Sequence, residues 1–356
     1  MRDLYRFATG IGSFPCQAAS TALEIVFKYL PELPHWPQLP AGGEEEGFIR
    51  QYLSPLIDGG LVQITSGRSP YFVTDAPDWL ERQTAFYTSA LAAEAENSWA
   101  AFGFPPSSAV GFYAFLEQLE ERGLGQARYL KGQLSGPVTL GLQLTDAALQ
   151  PAFYRDDLRE MLVTSLSLQL RWQIEKLASA GLPVIIFIDD PSLLCFGQSS
   201  FVGLSREAIQ KSLRALVDVA HEAGALVGVH ACAGVDWSIL FELSFDIVNV
   251  DVYHYFPSLL VYTAELGRYL AGGGILAWGL VPTSPAVEQE TAEALLGRLE
   301  EYIGTLAKKG LDRARLNEQL LFTPSCGTGT LSANQAGKVY SLLQESSVRY
   351  RSSFGS

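Results

Sequence analysis

Short apolar runs rich in β-branched residues alternate with longer amphipathic stretches along most of this chain, and no other feature of the sequence restricts its fold as much. "PVIIFIDDP" (183–191) reads as a buried strand stopped by carboxylates and a proline. "SREAIQKSLRALVDVAHEAG" follows with helical spacing and a terminal glycine, and "ALVGVHAC" opens the next strand. The alternation continues through "FDIVNVDVY", "FPSLLVYTAELGRYLAGG", "GILAWGLVPT" and "ETAEALLGRLEEYIGTLAKKG", and ends with "EQLLFTPSCGTG" before a last helical segment. Earlier, "ATGIGSFP" (8–15) and "ARYLKGQLSGPVTL" (127–140) begin units of the same kind. Strands alternating with helices imply parallel βαβ units. About seven or eight of them predict an α/β fold, a (β/α)8 TIM barrel. An open doubly wound sheet is the alternative, but no GxGxxG follows the first strand to mark a dinucleotide site.

One interval departs from the repeating unit. Residues 32–125 contain "PHWPQLPAGGEEEGFIRQYL", "LVQITSGRSPYFVTDA" and further helical segments. They are expected to form an elaborated insertion after the first strand, partly hairpin, serving either as a lid over one barrel face or as a thickened wall. "GGEEEG" reads as a solvated acidic turn in which one of Glu44, Glu45 and Glu46 is free to face a ligand amine. No linker, internal repeat or low-complexity tract divides the chain, so residues 1–356 are expected to be a single domain.

The net charge of −13 argues against a general nucleic-acid or anionic-membrane binder. No segment approaches the roughly 20 uninterrupted apolar residues of a membrane span, and "MRDLYRFATGIGSFPC" is not of signal-peptide type. A cytoplasmic protein without nucleic-acid or membrane partners is the expectation. Four cysteines in 356 residues are too sparse for a disulfide framework, which leaves them available as metal ligands or nucleophiles. Cys16 and Cys195 read instead as small buried apolar side chains.

Barrel enzymes build their sites at the C-terminal ends of the strands. Here those ends carry Gly12 and Ser13, then Gln133 and Ser135, Asp189 and Asp190, His230 and Cys232, Asp251, and finally Ser325 and Cys326. His230 and Cys232 stand two apart, so on a strand they point to one side. Alone, that pair is far more ordinary in a buried strand end than in a metal site. Cys326, on the flexible turn "PSCGTG", and Asp251, ending "IVNVD", supply a third and a fourth donor. His, Cys and Cys with an Asp oxygen make a zinc set, and thiolate-rich ligation disfavours magnesium and calcium.

Ligands drawn from three strands describe a centre open to substrate. Two thiolates and a carboxylate bring Zn²⁺ to a net charge near −1, which suits holding a substrate thiol as a nucleophilic thiolate for alkyl transfer to sulfur. Asp189 is positioned to anchor the amino group of a small amphoteric substrate, whereas Asp190 fits a cap of the following turn. Ser13, beside Gly12, offers hydroxyl and backbone N–H groups to a carboxylate. His254 competes with Asp251 as a ligand, and Trp278 reads as wall.

With those residues in place, the chain resembles the C-terminal catalytic domain of the cobalamin-independent methionine synthase family, among the uroporphyrinogen-decarboxylase-like barrels. "IGSFP" (11–15), "LSGPVTL" (134–140), "IDDP" (188–191), "HAC" (230–232) and "PSCG" (324–327) occur in the family's order. The resemblance implies zinc on His230, Cys232 and Cys326, with Asp251 where the family has a glutamate ligand. It implies homocysteine as substrate, its amino group on Asp189 and its carboxylate on Ile11, Gly12 and Ser13. A glutamate that also contacts the amine would fall near Glu44–Glu46. The chain is most similar to the short, folate-independent form, which implies a methylated corrinoid protein as methyl donor. A related reading is corrinoid-dependent transfer to another thiol such as coenzyme M, which has no amine for Asp189. A metal-free uroporphyrinogen-decarboxylase-like enzyme would want an arginine cluster near the first strand, where only Arg2 and Arg6 occur. A zinc- or corrinoid-binding accessory protein is the reading without catalysis.

Overall fold

The apolar runs become strands, and their order in the sheet is their order in the chain. The computed structural model describes residues 4–354. A short antiparallel pair, β1 (Val62–Gln63) and β2 (Tyr71–Phe72), precedes six parallel strands: β3 (Leu130–Ser135), β4 (Val184–Asp189), β5 (Leu226–Ala231), β6 (Ile247–Val250), β7 (Ile275–Val281) and β8 (Leu320–Pro324). The six pair consecutively into one curled sheet. Every connection between them contains a helix, as parallel pairing requires. The helix Arg206–Glu222 shows why these segments are helical. Ser205 caps it by accepting from Ala208 N, and Ile209, Leu213, Leu216, Val217 and Ala220 form its buried stripe.

The pleat sorts the strands into two faces. Leu130, Leu134, Ile186, Ile188, Val227, Val229 and Val248 pack outward into the large core shared with the helices. Ile185, Phe187, Ile247, Ile275, Ala277 and Leu321 form a separate apolar cluster on the inner face, joined by Leu4, Phe7, Leu33 and Tyr129. One rung crosses the sheet in register through Ser135, Asp189, His230, Asn249, Ala277 and Leu321. Registered residues in a parallel sheet share a face, so this rung puts a carboxylate, an imidazole and an amide side by side on the inner face. All three side chains are buried.

Among the described residues the sheet has six regular strands and not the eight of a complete barrel. Two extended N-terminal segments run along its edges. On the β8 side, Thr9 N donates to Phe322 O (3.0 Å) and Phe322 N to Phe7 O (2.8 Å). On the β3 side, Lys131 N donates to Pro34 O (2.9 Å). The two segments meet where Phe14 N donates to Gln38 O (2.8 Å) and Gln38 N to Gly12 O (3.0 Å). These contacts remain isolated bridges. Pro34 and Pro37 have no N–H to offer a ladder. Gly10 is packed so tightly that a Cβ would sit 2.2 Å from both the His35 ring and the Tyr340 hydroxyl.

Within 32–125, residues 34–38 are therefore part of the sheet edge. The remainder carries the β1–β2 pair and the helices Ser54–Asp58, Trp79–Glu96 and Val110–Arg122. Phe104 and Phe112 seat this segment on Trp36 and Trp172 with ring centroids 5.1–6.0 Å apart. Among the described residues, no helix is long and apolar enough to cross a membrane.

Candidate metal centre

β5 ends at Ala231, and the chain then turns so that Cys232 continues on the side of His230. β8 ends at Pro324, and Cys326 arrives from the following turn. The result is that one nitrogen of His230 and the sulfurs of Cys232 and Cys326 all lie within 4.8 Å of one another. His230 is buried, and both cysteines are partly exposed. This group can hold a metal ion.

The turn carrying Cys326 is tied to the N-terminal segment. Thr328 N and Thr328 Oγ1 donate to Ser13 O (2.9 and 2.8 Å), and Gly329 N donates to Ser13 Oγ (3.3 Å). A Cβ on Gly327 would lie 2.1 Å from Ser13 Oγ, so glycine lets the turn close on Ser13.

Hydrogen bonding fixes the tautomer of His230. Asn249 Nδ2 donates to Ala277 O (3.0 Å) and to Thr323 Oγ1. A carbonyl can only accept, so the amide orientation is set and Asn249 Oδ1 faces His230 Nδ1 as an acceptor. Nδ1 therefore carries the proton. Nε2 is buried with no hydrogen-bond partner among the described residues, and in the neutral ring it presents a lone pair. An unpaired buried acceptor of this kind is costly unless something electrophilic meets it. A second residue that orients a ligating imidazole through its other nitrogen is a regular feature of metal sites.

The three donors also shift one another's protonation. The Cys326 thiol donates to Cys232, and the neighbouring His230 ring adds to the effect, so Cys232 is held below the ordinary thiol range despite burial. Cys326 is raised, first by that same contact and then by burial. Burial disfavours charge on His230, but Cys232 outweighs it and carries the ring above its ordinary value. One sulfur of the pair is thus readily deprotonated, which is the state a metal ion needs.

Asp251 does not join this group. It caps the helix Val252–Leu259, its Oδ1 accepting from His254 N (3.0 Å) and its Oδ2 lying 2.8 Å from His254 Nδ1. An aspartate is one methylene shorter than a glutamate, and here both its oxygens are engaged by the residue three positions on. His254 stays outside the group for the same reason. Among the described residues the group therefore consists of His230, Cys232 and Cys326, without the expected fourth ligand Asp251.

Asp189 lies on the same rung as His230, and its Oδ1 is buried without a hydrogen-bond partner among the described residues. Burial pushes its carboxyl up to about 6, against the opposing pull of His230 and Lys131. Asp190 is a cap, though not of its own turn. It accepts from Val138 N (3.0 Å), Thr139 N (2.8 Å) and Thr139 Oγ1 (2.6 Å) at the start of the helix Pro137–Gln143. Ile11 O accepts from Lys131 Nζ (2.6 Å), and Gly12 lies against the Gln133 side chain. Glu44 and Glu45 form exposed ion pairs with Arg50. Glu46 is buried, and its Oε1 accepts from Val110 N (2.7 Å). Trp278 packs outward into the core shared with the helices.

Asn249 and Lys131 were not singled out from the sequence. Both lie two positions from a polar residue inside an apolar strand, Asn249 before Asp251 and Lys131 before Gln133. That period-2 polar pattern is the signal that places them on the inner face. No protein-family model matches the chain, and no curated protein matches it either.

Proposed function

We propose that the chain is a zinc-dependent methyltransferase that transfers a methyl group to the thiol of homocysteine, forming methionine, with a methylated corrinoid protein as donor. The observation that carries this reading is the pairing of the His230–Cys232–Cys326 donor set with the unpartnered carboxylate oxygen of Asp189 on the same rung. The two edge segments bonded to β3, to β8 and to each other support the matching fold reading, a TIM barrel of six regular strands completed by two irregular staves.

The donor set fits zinc. Zn–S and Zn–N bonds of about 2.3 and 2.0 Å in a tetrahedron place donors about 3.5–3.8 Å apart, which the 4.8 Å limit on the separation of these three atoms accommodates. The orphaned His230 Nε2 and the low-lying Cys232 thiol are what a soft, thiolate-preferring cation would meet. Three protein ligands leave one tetrahedral position for substrate, where zinc would supply the positive charge that keeps a thiol deprotonated at neutral pH.

The remaining work falls to the chain's own side chains. Asn249 holds the His230 ring in its ligating tautomer. Ser13 ties down the turn that delivers Cys326. Asp189 Oδ1 receives an N–H of the substrate ammonium, and Ile11, Gly12 and Ser13 receive the carboxylate of the same amino acid. An amine on Asp189 favours homocysteine over a thiol carrying only a sulfonate. The sulfur end of the substrate then faces the cysteines, and the methyl group approaches from the open side of the strand ends.

The test is a donor screen on full-length protein supplemented with zinc, offering methyl-folate, free methylcobalamin or a methylated corrinoid protein with homocysteine and scoring methionine. Methionine formation with the corrinoid donor is expected, together with about one equivalent of tightly held zinc. Protein that neither retains zinc nor forms methionine with any donor would refute the reading. Asp189→Asn is expected to raise the homocysteine concentration required; an unchanged requirement would remove Asp189 from the amine site.

A further inference from the structure

Three polar atoms on the inner face of β3, β4 and β5 are buried without a hydrogen-bond partner among the described residues: Gln133 Oε1, Asp189 Oδ1 and His230 Nε2. Each is an acceptor. Whatever occupies this face must bring donors or positive charge to three places. His230 Nε2 stands with the two sulfurs and is met by a cation. Asp189 Oδ1 and Gln133 Oε1 are left over, and only the first is used by the reading above.

The orientation of Gln133 is determined. Its Nε2 donates to Trp36 O (3.2 Å), and a carbonyl cannot donate in return, so the amide nitrogen belongs on that side and Oε1 on the other. Its side chain touches the 11–13 segment, since a Cβ on Gly12 would lie 2.9–3.1 Å from it. The register pairs Ser135 with Asp189 and Gln133 with Phe187, which puts Gln133 on the face of Asp189, one inward-facing position below its rung. Lys131, the next inward residue down, sends its Nζ to Ile11 O (2.6 Å) and over the Phe187 ring, and does not fill the vacant acceptor.

We propose that Gln133 is a specificity-determining residue whose Oε1 accepts a second N–H from the substrate ammonium group that Asp189 Oδ1 contacts first. This rests on the reading of the site as a homocysteine site. An ammonium has three N–H donors and satisfies both acceptors at once. A thiol acid without the amine leaves both buried and unpaired, and rejection on that basis is steep.

The experiment measures dissociation constants of L-homocysteine and of 4-mercaptobutanoate, the same molecule without its amine, on zinc-supplemented full-length protein by titration calorimetry. Wild type is expected to prefer L-homocysteine. Gln133→Met, which keeps the volume and removes the acceptor, is expected to weaken L-homocysteine about tenfold or more and to leave 4-mercaptobutanoate unchanged. Gln133→Glu restores an acceptor and is expected to keep the preference, so it decides the matter if the methionine variant does not fold. Equal weakening of both thiols in Gln133→Met, no weakening of either, or loss of the preference in Gln133→Glu would overturn the assignment of Gln133 alone. If wild type binds neither thiol, the homocysteine reading falls and this assignment falls with it.

Discussion

Replacing Asn249 with leucine tests the geometry of the metal centre without touching a ligand. The side chain is fully buried, accepts from His230 Nδ1 and donates to Ala277 O and Thr323 Oγ1. Leucine has a similar volume and neither donor nor acceptor. The His230 Nδ1–H is then buried and unpaired, at a cost of about 1–3 kcal/mol. The ring is also free to turn or to move its proton to Nε2, which removes the lone pair from the metal side. Loss of such an orienting partner lowers metal affinity about 10–100-fold, equivalent to about 1.4–2.7 kcal/mol of binding. The assay is competition for Zn²⁺ with a chromophoric chelator at neutral pH, comparing wild type, Asn249→Leu and Asn249→Asp. The aspartate variant keeps an acceptor opposite Nδ1 and is expected to recover most of the affinity, even though it no longer donates to Ala277 O. Unchanged affinity in Asn249→Leu would refute the tautomer argument. Equal losses in both variants would show that packing around residue 249, and not the hydrogen bond, supports the centre.

Four further outcomes follow from the structure. Cys232→Ala and Cys326→Ala are each expected to abolish zinc retention, measured by metal analysis after dialysis, while the circular dichroism of the metal-free protein stays that of wild type. Asp251→Ala should weaken zinc far less than either and cost about 1 kcal/mol of stability through loss of the helix cap. His35 is buried, lies 2.9 Å from Trp36 O and 2.7 Å from Tyr340 Oη, and has its pKa lowered to about 3, first by burial and then by Lys131. Its unfolded value lies higher, so the unfolded chain takes up more protons as the pH falls from about 6.5 toward 3. Wild type should therefore lose stability relative to His35→Gln by about 1.4 kcal/mol per pH unit across that window, and parallel pH profiles in urea unfolding would refute it. Gly279→Ala places a Cβ 2.7 Å from Val250 O and 3.0 Å from Asp251 Cα, backbone that cannot rotate away. A loss of about 1–3 kcal/mol is expected in the same unfolding assay, and an unchanged midpoint would contradict the close packing of β6 against β7.

Much of the candidate site was legible because strand residues repeat with period 2 and active positions gather where strands end. That rule alone selected His230, Cys232, Asp189 and Cys326 from the sequence. It also selected Asp251, which stands outside the observed group: a strand-end carboxylate serves equally well as the cap of the next helix, and the neighbouring His254 completes that role. Asp190 shows the same ambiguity. Its capping character was readable, but the helix it caps begins at Pro137, more than fifty residues earlier, and no local pattern reports a partner so distant.

The sequence by itself determined the alternation of strand and helix, the parallel sheet that follows from it, and the face on which each polar strand residue falls, because those are consequences of local periodicity and connection length. It did not determine how the sheet ends. The expectation of eight regular strands overlooked what Pro34, Pro37, Gly10 and Gly12 do to a ladder, and the two edge segments pair with the sheet only at single bridges, to Phe322 on one side and Lys131 on the other. Tertiary structure alone decided which donors meet: Cys326 reaches His230 and Cys232 because Ser13, more than three hundred residues away, holds its turn, and His230 presents Nε2 because Asn249 from the next strand holds Nδ1. Hydrogen-bond partners and ligand distances depend on register between strands, and register is a property of the assembled sheet.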